Sequence, residues 1–262
     1  MKILFIGDIV GKPGRLAVKE LLPKIVKDKG IDFVIGNGEN LAHGKGITES
    51  TYQEMIEAGI DYLTSGNHVW SKKEFVPFLD DKSVKVLRPA NYPPGVPGRG
   101  VEIAEVGTQK LGIINLMGRT FFPQDLDCPF RKLDSILEEL RNDYGDIPIV
   151  IDFHAEASSE KRAFGFYNDG RVSAVLGTHT HIQTSDEQML PKGSAYISDV
   201  GMVGAKDSVL GVEKEIIIKK FLTQMLIHHE IPEGGKAEFG AVVLEVNRKG
   251  KAKRIERIRK FV

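Results

Sequence analysis

A set of polar residues stands directly behind short apolar runs, and their types are those that hold divalent cations. Asp8 follows the run Ile3 to Ile6, Glu39 and Asn40 follow Phe33 to Ile35, and Asn67 and His68 follow Tyr62 to Thr64. His154 follows a run ending at Phe153, and His179 and His181 follow one ending at Leu176. Carboxylate, amide and imidazole donors in this mixture suit iron, manganese or zinc better than calcium, whose ligands are oxygens. In Gly177-Thr178-His179-Thr180-His181 the spacing on extended or loop backbone points the rings the same way, so that they can face two adjacent ions. In Gly36-Asn37-Gly38-Glu39-Asn40 the glycines free the chain to turn and let a carboxylate reach inward. Taken singly, Asn67 reads as a left-handed turn residue, whereas for Glu39 a solvated turn acid is the lesser reading beside an inward-reaching carboxylate. Repetition at one strand end after another favours the ligand reading.

The elements that must position these residues follow from hydrophobic periodicity. Ile3 to Ile6 predicts a buried strand, Gly7 to Gly14 a turn, and Leu16, Val18, Leu21, Leu22, Ile25 and Val26 a helix ended by Gly30. Phe33 to Ile35 is a second strand, Tyr52 to Ala58 a helix, and Tyr62 to Thr64 a third strand. Alternation of this kind predicts an α/β protein with a mostly parallel central sheet and chemistry in the loops behind its strands. Further along, strands are expected at Val101 to Val106, Leu111 to Leu116, Ile147 to Phe153, Val172 to Leu176 and Ala195 to Ile197. Helices are expected from Phe130 to Asn142 and from Glu213 to His229. A hairpin over Ala241 to Val262 should add edge strands. With no repeat and no linker-like tract, a single domain over residues 1–262 is the expectation.

Composition narrows the function. Thirty-six Lys and Arg balance 36 Asp and Glu, so the chain lacks the broad positive field that clamps long duplexes, while a small anionic substrate stays compatible. The single cysteine, Cys128, fits a reducing compartment. No stretch approaches a signal peptide core or a membrane helix, which makes the cytoplasm the expected location and a membrane an unexpected partner.

These residues in this order resemble the calcineurin-like metallophosphoesterase superfamily, whose pattern is an Asp motif, Gly-Asp, Gly-Asn-His, a single His and Gly-His-x-His. Here it reads Gly7-Asp8, Gly38-Glu39-Asn40, Gly66-Asn67-His68, His154 and Gly177-Thr178-His179-Thr180-His181. Two positions depart from it: Val10 stands where Asp-x-His has its histidine, and Glu39 stands where the bridging Asp is usual. Those departures, with the opening Gly7-Asp8-Ile9-Val10-Gly11, resemble the YmdB-type branch of bacterial phosphodiesterases acting on 2′,3′-cyclic nucleotides. The resemblance covers nearly the whole chain.

It implies a four-layer α-β-β-α sandwich and a dinuclear centre of transition metals, iron foremost and manganese or zinc as alternatives, with Glu39 bridging. Asp8, Asn40 and His181 would complete one metal site, Asn40 replacing the histidine missing at Val10. Asn67, His154 and His179 would complete the other. Two cations roughly 3.5–4 Å apart lower the pKa of a bridging water, orient it in line and neutralise charge at phosphorus. His68 adjoins a ligand without being required as one, so its expected role is to protonate the departing ribose oxygen; orienting the ligands is its alternative role. The expected reaction is hydrolysis of 2′,3′-cyclic nucleotides or related small phosphodiesters. A phosphomonoesterase with the same centre, and a regulatory nucleotide- or RNA-binding protein with negligible turnover, are the competing expectations. RNA ends are a further candidate partner, and a homo-oligomer is left open.

Other residues carry weaker signals. Gly7 to Pro13 lacks the spacing and the Ser or Thr of a triphosphate-binding loop. His43 is equally a substrate contact or a solvated loop residue. Arg119, Phe121 and Phe122 could pair phosphate and stack a base, although core aromatics beside a surface arginine are the commoner arrangement. His228 and His229 are expected to end the last helix, where cations suit the dipole. The basic tail from Arg248 to Lys260 is expected to be a solvated face.

Overall fold

In the computed structural model, which describes residues 1–262, Lys2–Ile9 forms strand β1 and its side chains alternate between two buried clusters. Ile3 and Phe5 enter one, Leu4 and Ile6 the other. A strand apolar on both faces must be covered on both, and this alternation sets the order of the layers. The chain continues through α1 (Gly11–Lys29), β2 (Phe33–Asn37), α2 (Glu49–Glu57), β3 (Tyr62–Thr64), β4 (Val101–Val106), β5 (Gln109–Met117) and α3 (Pro129–Tyr144). Next come β6 (Ile149–His154), α4 (Ser158–Tyr167), β7 (Ala174–Thr178), β8 (Gln188–Met189), β9 (Ala195–Ile197) and β10 (Met202–Ala205). It ends with α5 (Lys214–Thr223), β11 (Ala237–Val246) and β12 (Ala252–Phe261).

The strands form two six-stranded sheets, ordered β12-β11-β10-β1-β2-β3 and β4-β5-β6-β7-β9-β8. Ile3, Phe5, Ile35, Ile113, Val150, Leu176 and Val242 pack between the sheets. Val18, Leu22 and Ile25 of α1 and Met55 of α2 pack on the outside of the first sheet. Leu133, Leu137 and Leu140 of α3 and Phe164 of α4 cover the second. The result is the expected α-β-β-α sandwich, with two sheets where strand pattern alone predicted one. Each sheet has a parallel centre, β1 with β2, β3 and β10, and β5 with β6, β7 and β9. Parallel neighbours end at the same edge, which brings the polar residues behind them to one rim.

Several boundaries differ from the sequence expectation. The turn predicted over Gly7 to Gly14 is strand as far as Ile9 and helix from Gly11, so Asp8 lies inside β1. Gly7 is there for close approach: a Cβ would meet the Gly201 carbonyl oxygen at 1.9 Å. The last helix stops at Thr223 instead of His229, with Gln224 as a left-handed cap at φ 56°. Beyond it the chain folds back, and Ile231 occupies the space that side chains at Gly11 and Gly44 would need. The hairpin forms, but only β12 is an edge strand, because β11 pairs with β1 from Lys2 to Ile6. Helix α4 and strands β8 and β10 went unpredicted; α4 buries only Lys161, Phe164 and Gly165, too few apolar residues to mark a stripe. No helix is long and apolar enough to cross a membrane.

Candidate functional site

The rim gathers every ligand candidate into two adjoining clusters that share Glu39. In the inner cluster, His154 Nε2 lies 3.1 Å from Asn67 Oδ1, 3.2 Å from Glu39 Oε2 and 3.1 Å from His179 Nδ1. In the outer cluster, His181 Nε2 lies 3.2 Å from Asn40 Nδ2 and 3.7 Å from Asp8 Oδ1, and Asn40 Nδ2 is 3.2 Å from Glu39 Oε1. The two carboxylate oxygens of Glu39 thus face different clusters. His154, Asp8, Glu39 and Asn40 are buried, whereas His179 and His181 are partly open to a cavity of about 890 Å³.

Local folding explains the placement. The backbone at His179 and His181 is left-handed, φ 98° and 64°, and the two rings divide between the adjoining clusters, so that each faces a different candidate ion site. Such conformations cost energy in non-glycine residues and must be held by their surroundings. Asp199 does part of this, accepting from the Thr180 N–H and hydroxyl while pairing with the buried Lys161 at 2.7 Å. Asp8 Oδ2 accepts the His179 N–H and the Leu210 carbonyl faces His181 Nδ1 at 2.9 Å. The glycines beside Glu39 are not left-handed; Gly36 and Gly38 provide room against Ile9, Ile60, Leu41 and Leu63.

Some functional residues escaped sequence reasoning. A side chain on Gly66 would lie 2.3 Å from both Glu39 Oε2 and His154 Nε2, so the glycine makes space for the inner cluster. His154 Nδ1 lies 2.8 Å from Thr178 Oγ1, which donates to Asp152 Oδ1 at 2.7 Å. Asp152 Oδ2 accepts from Asn37 at 2.9 Å and from Thr64. A charged residue within the otherwise apolar Ile149-Val150-Ile151-Asp152-Phe153 was the available signal. Glu156 Oε2 is 2.9 Å from His179 Nε2. Phe122 packs against the core as expected and also sets its ring 4.8 Å from that of His179, whereas Phe121 is 83% exposed and is not core. Arg119 is exposed. His43 lines the cavity, as do His228 and His229, which the folded-back chain carries there instead of ending a helix.

The electrostatics are those of ligands crowded together. Burial pushes Asp8 up to about 6 despite the neighbouring His181 and His154. For Glu39 burial acts upward, but His154, His68 and His179 outweigh it and hold the carboxylate well below its usual range. Burial acts downward on His154, yet Glu39, Asp8 and Asp152 together raise it to about 9. Burial and the neighbouring His154 charge push His179 down to about 3. Burial also lowers His68, whose backbone N–H donates to Glu39 Oε2 at 3.2 Å.

The residues fit cations. Ligand atoms of Glu39, His154 and His179 lie within 4.8 Å of one another. Asp8 Oδ1 is buried with no hydrogen-bond partner, an arrangement that is costly unless a positive charge answers it. Gly66 leaves open the space that ligands must enter.

A family model described as YmdB-like protein matches residues 4–258. The chain belongs to the YmdB-like family. It is 51% identical, over 98% of its length and 96% of the relative's, to the Bacillus subtilis protein named 2′,3′-cyclic-nucleotide 2′-phosphodiesterase. A crystal structure of a hypothetical protein from Thermus thermophilus superposes with TM-score 0.92 at 44% identity, covering 100% of this chain and 99% of that one. A novel phosphatase from Mycoplasma pneumoniae superposes with TM-score 0.93 at 35% identity, covering 100% and 93%. Family and architecture agree with a metallophosphoesterase fold, and the chain is an enzyme of the phosphoesterase class.

Proposed function

We propose that this protein is a dinuclear metal-dependent phosphodiesterase that hydrolyses 2′,3′-cyclic nucleotides, retaining the phosphate on O3′. The observation that carries the reading is that the two Glu39 oxygens face two different clusters, so that Glu39 would contribute to holding both ions. Asp8, Asn40 and His181 would hold one ion and Asn67, His154 and His179 the other, with Asn40 turning its amide to present Oδ1. Iron is the first metal to test, then manganese and zinc. When bound, the ions supply an acidified water and positive charge against the phosphate.

The protein's own groups do the rest. The Asp152 and Thr178 hydrogen bonds fix the ring of His154, a constraint that holds ligand nitrogens in direction. Phe122 packs against the ring of His179 and covers that side of the cluster. His68 lines the cavity and donates its backbone N–H to Glu39, which supports assigning it the proton for the departing ribose oxygen. In the balanced reaction water adds to phosphorus, the P–O2′ bond breaks, and O2′ leaves as a hydroxyl.

The test is metal analysis of purified protein together with hydrolysis of 2′,3′-cyclic AMP and identification of the product isomer. About two metals per chain and the 3′-phosphate as sole product are expected. His68→Ala should lower turnover of the ribose ester by about 10²–10⁴-fold while keeping the metals. The loss should be much smaller on bis(p-nitrophenyl) phosphate, whose leaving group needs no proton. Equal losses on both substrates would remove His68 from the acid role, and two bound metals without turnover of any phosphoester would favour the binding-protein reading.

A further inference from the structure

The cavity beside the clusters carries more positive charge than a 2′,3′-cyclic mononucleotide can use. Lys45, Lys72 and Lys220 line it together with His43, His228 and His229, and Glu39 is the sole carboxylate in the lining. Glu39 points its oxygens at the ligand clusters and leaves nothing for the lysines. None of the three lysines is engaged with a carboxylate; Lys220 Nζ instead lies 3.4 Å from His229 Nε2. In a chain whose charges otherwise balance, this is a local excess of cations held in one concave site. On the dinuclear reading the reacting phosphate would draw its countercharge from the two ions, which leaves these lysines surplus to the chemical step.

Lys45 follows the loop of His43 and Gly44, Lys72 stands four residues beyond His68, and Lys220 lies on α5, so the three cations reach the one cavity from separate segments of the chain. Beside Lys220, Ile217 and Phe221 of α5 and Ile227 of the following segment give an apolar wall suited to the face of a base. The volume, about 890 Å³, lies near the top of the roughly 300–1,000 Å³ typical of small-molecule sites.

Resting on the phosphodiesterase reading, we infer that the natural substrate carries a second phosphate, attached through the ribose 5′-oxygen, which Lys45, Lys72 and Lys220 bind. Two sources share that chemistry: a 5′-phosphorylated mononucleotide 2′,3′-cyclic phosphate, and the cyclic-phosphate end of an RNA strand. The lysines act as specificity-determining residues and take no part in bond breaking.

The experiment compares kcat/KM of the metal-loaded protein for three compounds: 2′,3′-cyclic AMP, its 5′-phosphorylated form, and the diadenylate ending in a 2′,3′-cyclic phosphate. Charge-assisted hydrogen bonds to one added phosphate should give a preference of about tenfold or more over 2′,3′-cyclic AMP. The ratio should approach unity in Lys45→Ala/Lys72→Ala/Lys220→Ala, because any effect of the variant on the chemical step is common to all three substrates and cancels. A preference for both extended compounds assigns the site to any 5′-phosphate, and a preference for the diadenylate alone assigns it to RNA ends. Calorimetry adds a readout free of turnover: adenosine 3′,5′-bisphosphate should bind more tightly than adenosine 3′-phosphate, and the triple variant should erase the difference. Hydrolysis of 2′,3′-cyclic AMP with no preference for either extended compound, or a preference that survives in the triple variant, overturns this inference alone. Failure to hydrolyse any of the three compounds overturns the phosphodiesterase reading with it.

Discussion

The inner and outer clusters use similar residue types and are held in different ways. His154 stands at the end of a central strand, fully buried, its second nitrogen tied through Thr178 to Asp152, and three ligand atoms surround its first nitrogen at 3.1–3.2 Å. Asp8 and Asn40 are buried too, but the spacing is looser, 3.7 Å from Asp8 Oδ1 to His181 Nε2. His181 is supported by the carbonyl of Leu210, itself left-handed at φ 54° on the connection between β10 and α5. Val10, where a further histidine would serve the outer ion, is packed against Gly204 and Gly211. Each cluster has one residue on a strand, His154 on β6 and Asp8 on β1. The His154 ring, however, is held through Thr178 to Asp152 on buried strands, whereas the His181 ring is held by a loop carbonyl and has more to be organised by the metal. The inner cluster is therefore expected to bind its metal more tightly.

Removing the shared residue should erase the difference. Glu39→Ala is expected to lose metal from both clusters and to cost more than the roughly 10²–10⁴-fold typical of a missing proton donor, as read by elemental analysis and turnover. Retention of one tightly bound equivalent would show that Glu39 does not bridge.

Asn40→Ala is the sharper cut, since Asn40 contacts His181 and only the outer-facing oxygen of Glu39. Metal content should fall from about two to about one equivalent after dialysis, with activity lost in step. Two full equivalents in this variant would end the idea that Asn40 substitutes for a histidine. On the inner side Thr178→Val removes the contact to His154 Nδ1 and leaves the ring free to turn. A weakening of about 10–100-fold in metal affinity or activity is expected, confined to the inner ion. An outer-only effect would reverse the comparison.

The smallest effect is a pH dependence of the metal-free protein. His154 is raised from 6.5 to about 9 by its acidic neighbours, so its charged form stabilises the fold fully below 6.5 and that stabilisation is lost as pH rises toward and through 9. The melting temperature of the metal-free protein should fall across this window, and metal uptake should strengthen as the competing proton leaves. Metal-loaded protein should show no such fall, because ligation keeps the ring unprotonated; identical profiles for the two forms would place His154 outside the centre.

Much of this site was legible because ligand chemistry restricts residue types: Asp8, Glu39, Asn67 and His154 stood out as polar groups behind apolar strands. Supporting groups were less visible. Asp152 looks like an interruption in a strand until Asn37, Thr64 and Thr178 converge on it from three others. Gly66 looks like turn punctuation until Glu39 and His154 occupy the place of its side chain. The end of α5 was misplaced because Ile227 and Ile231 extend an apolar pattern whose burial partner is the cavity rim and not a helix face.

Residue types and their order along the chain determined the candidate donors, the α/β alternation and the family, since those depend on local periodicity and on what each side chain can coordinate. Only the tertiary structure decided that β11 inserts beside β1, that His179 and His181 part company, and that the chain after Thr223 brings His228 and His229 over the site. The physical reason is range: strand pairing and cavity walls join residues far apart in sequence, and no local pattern encodes which distant surfaces meet.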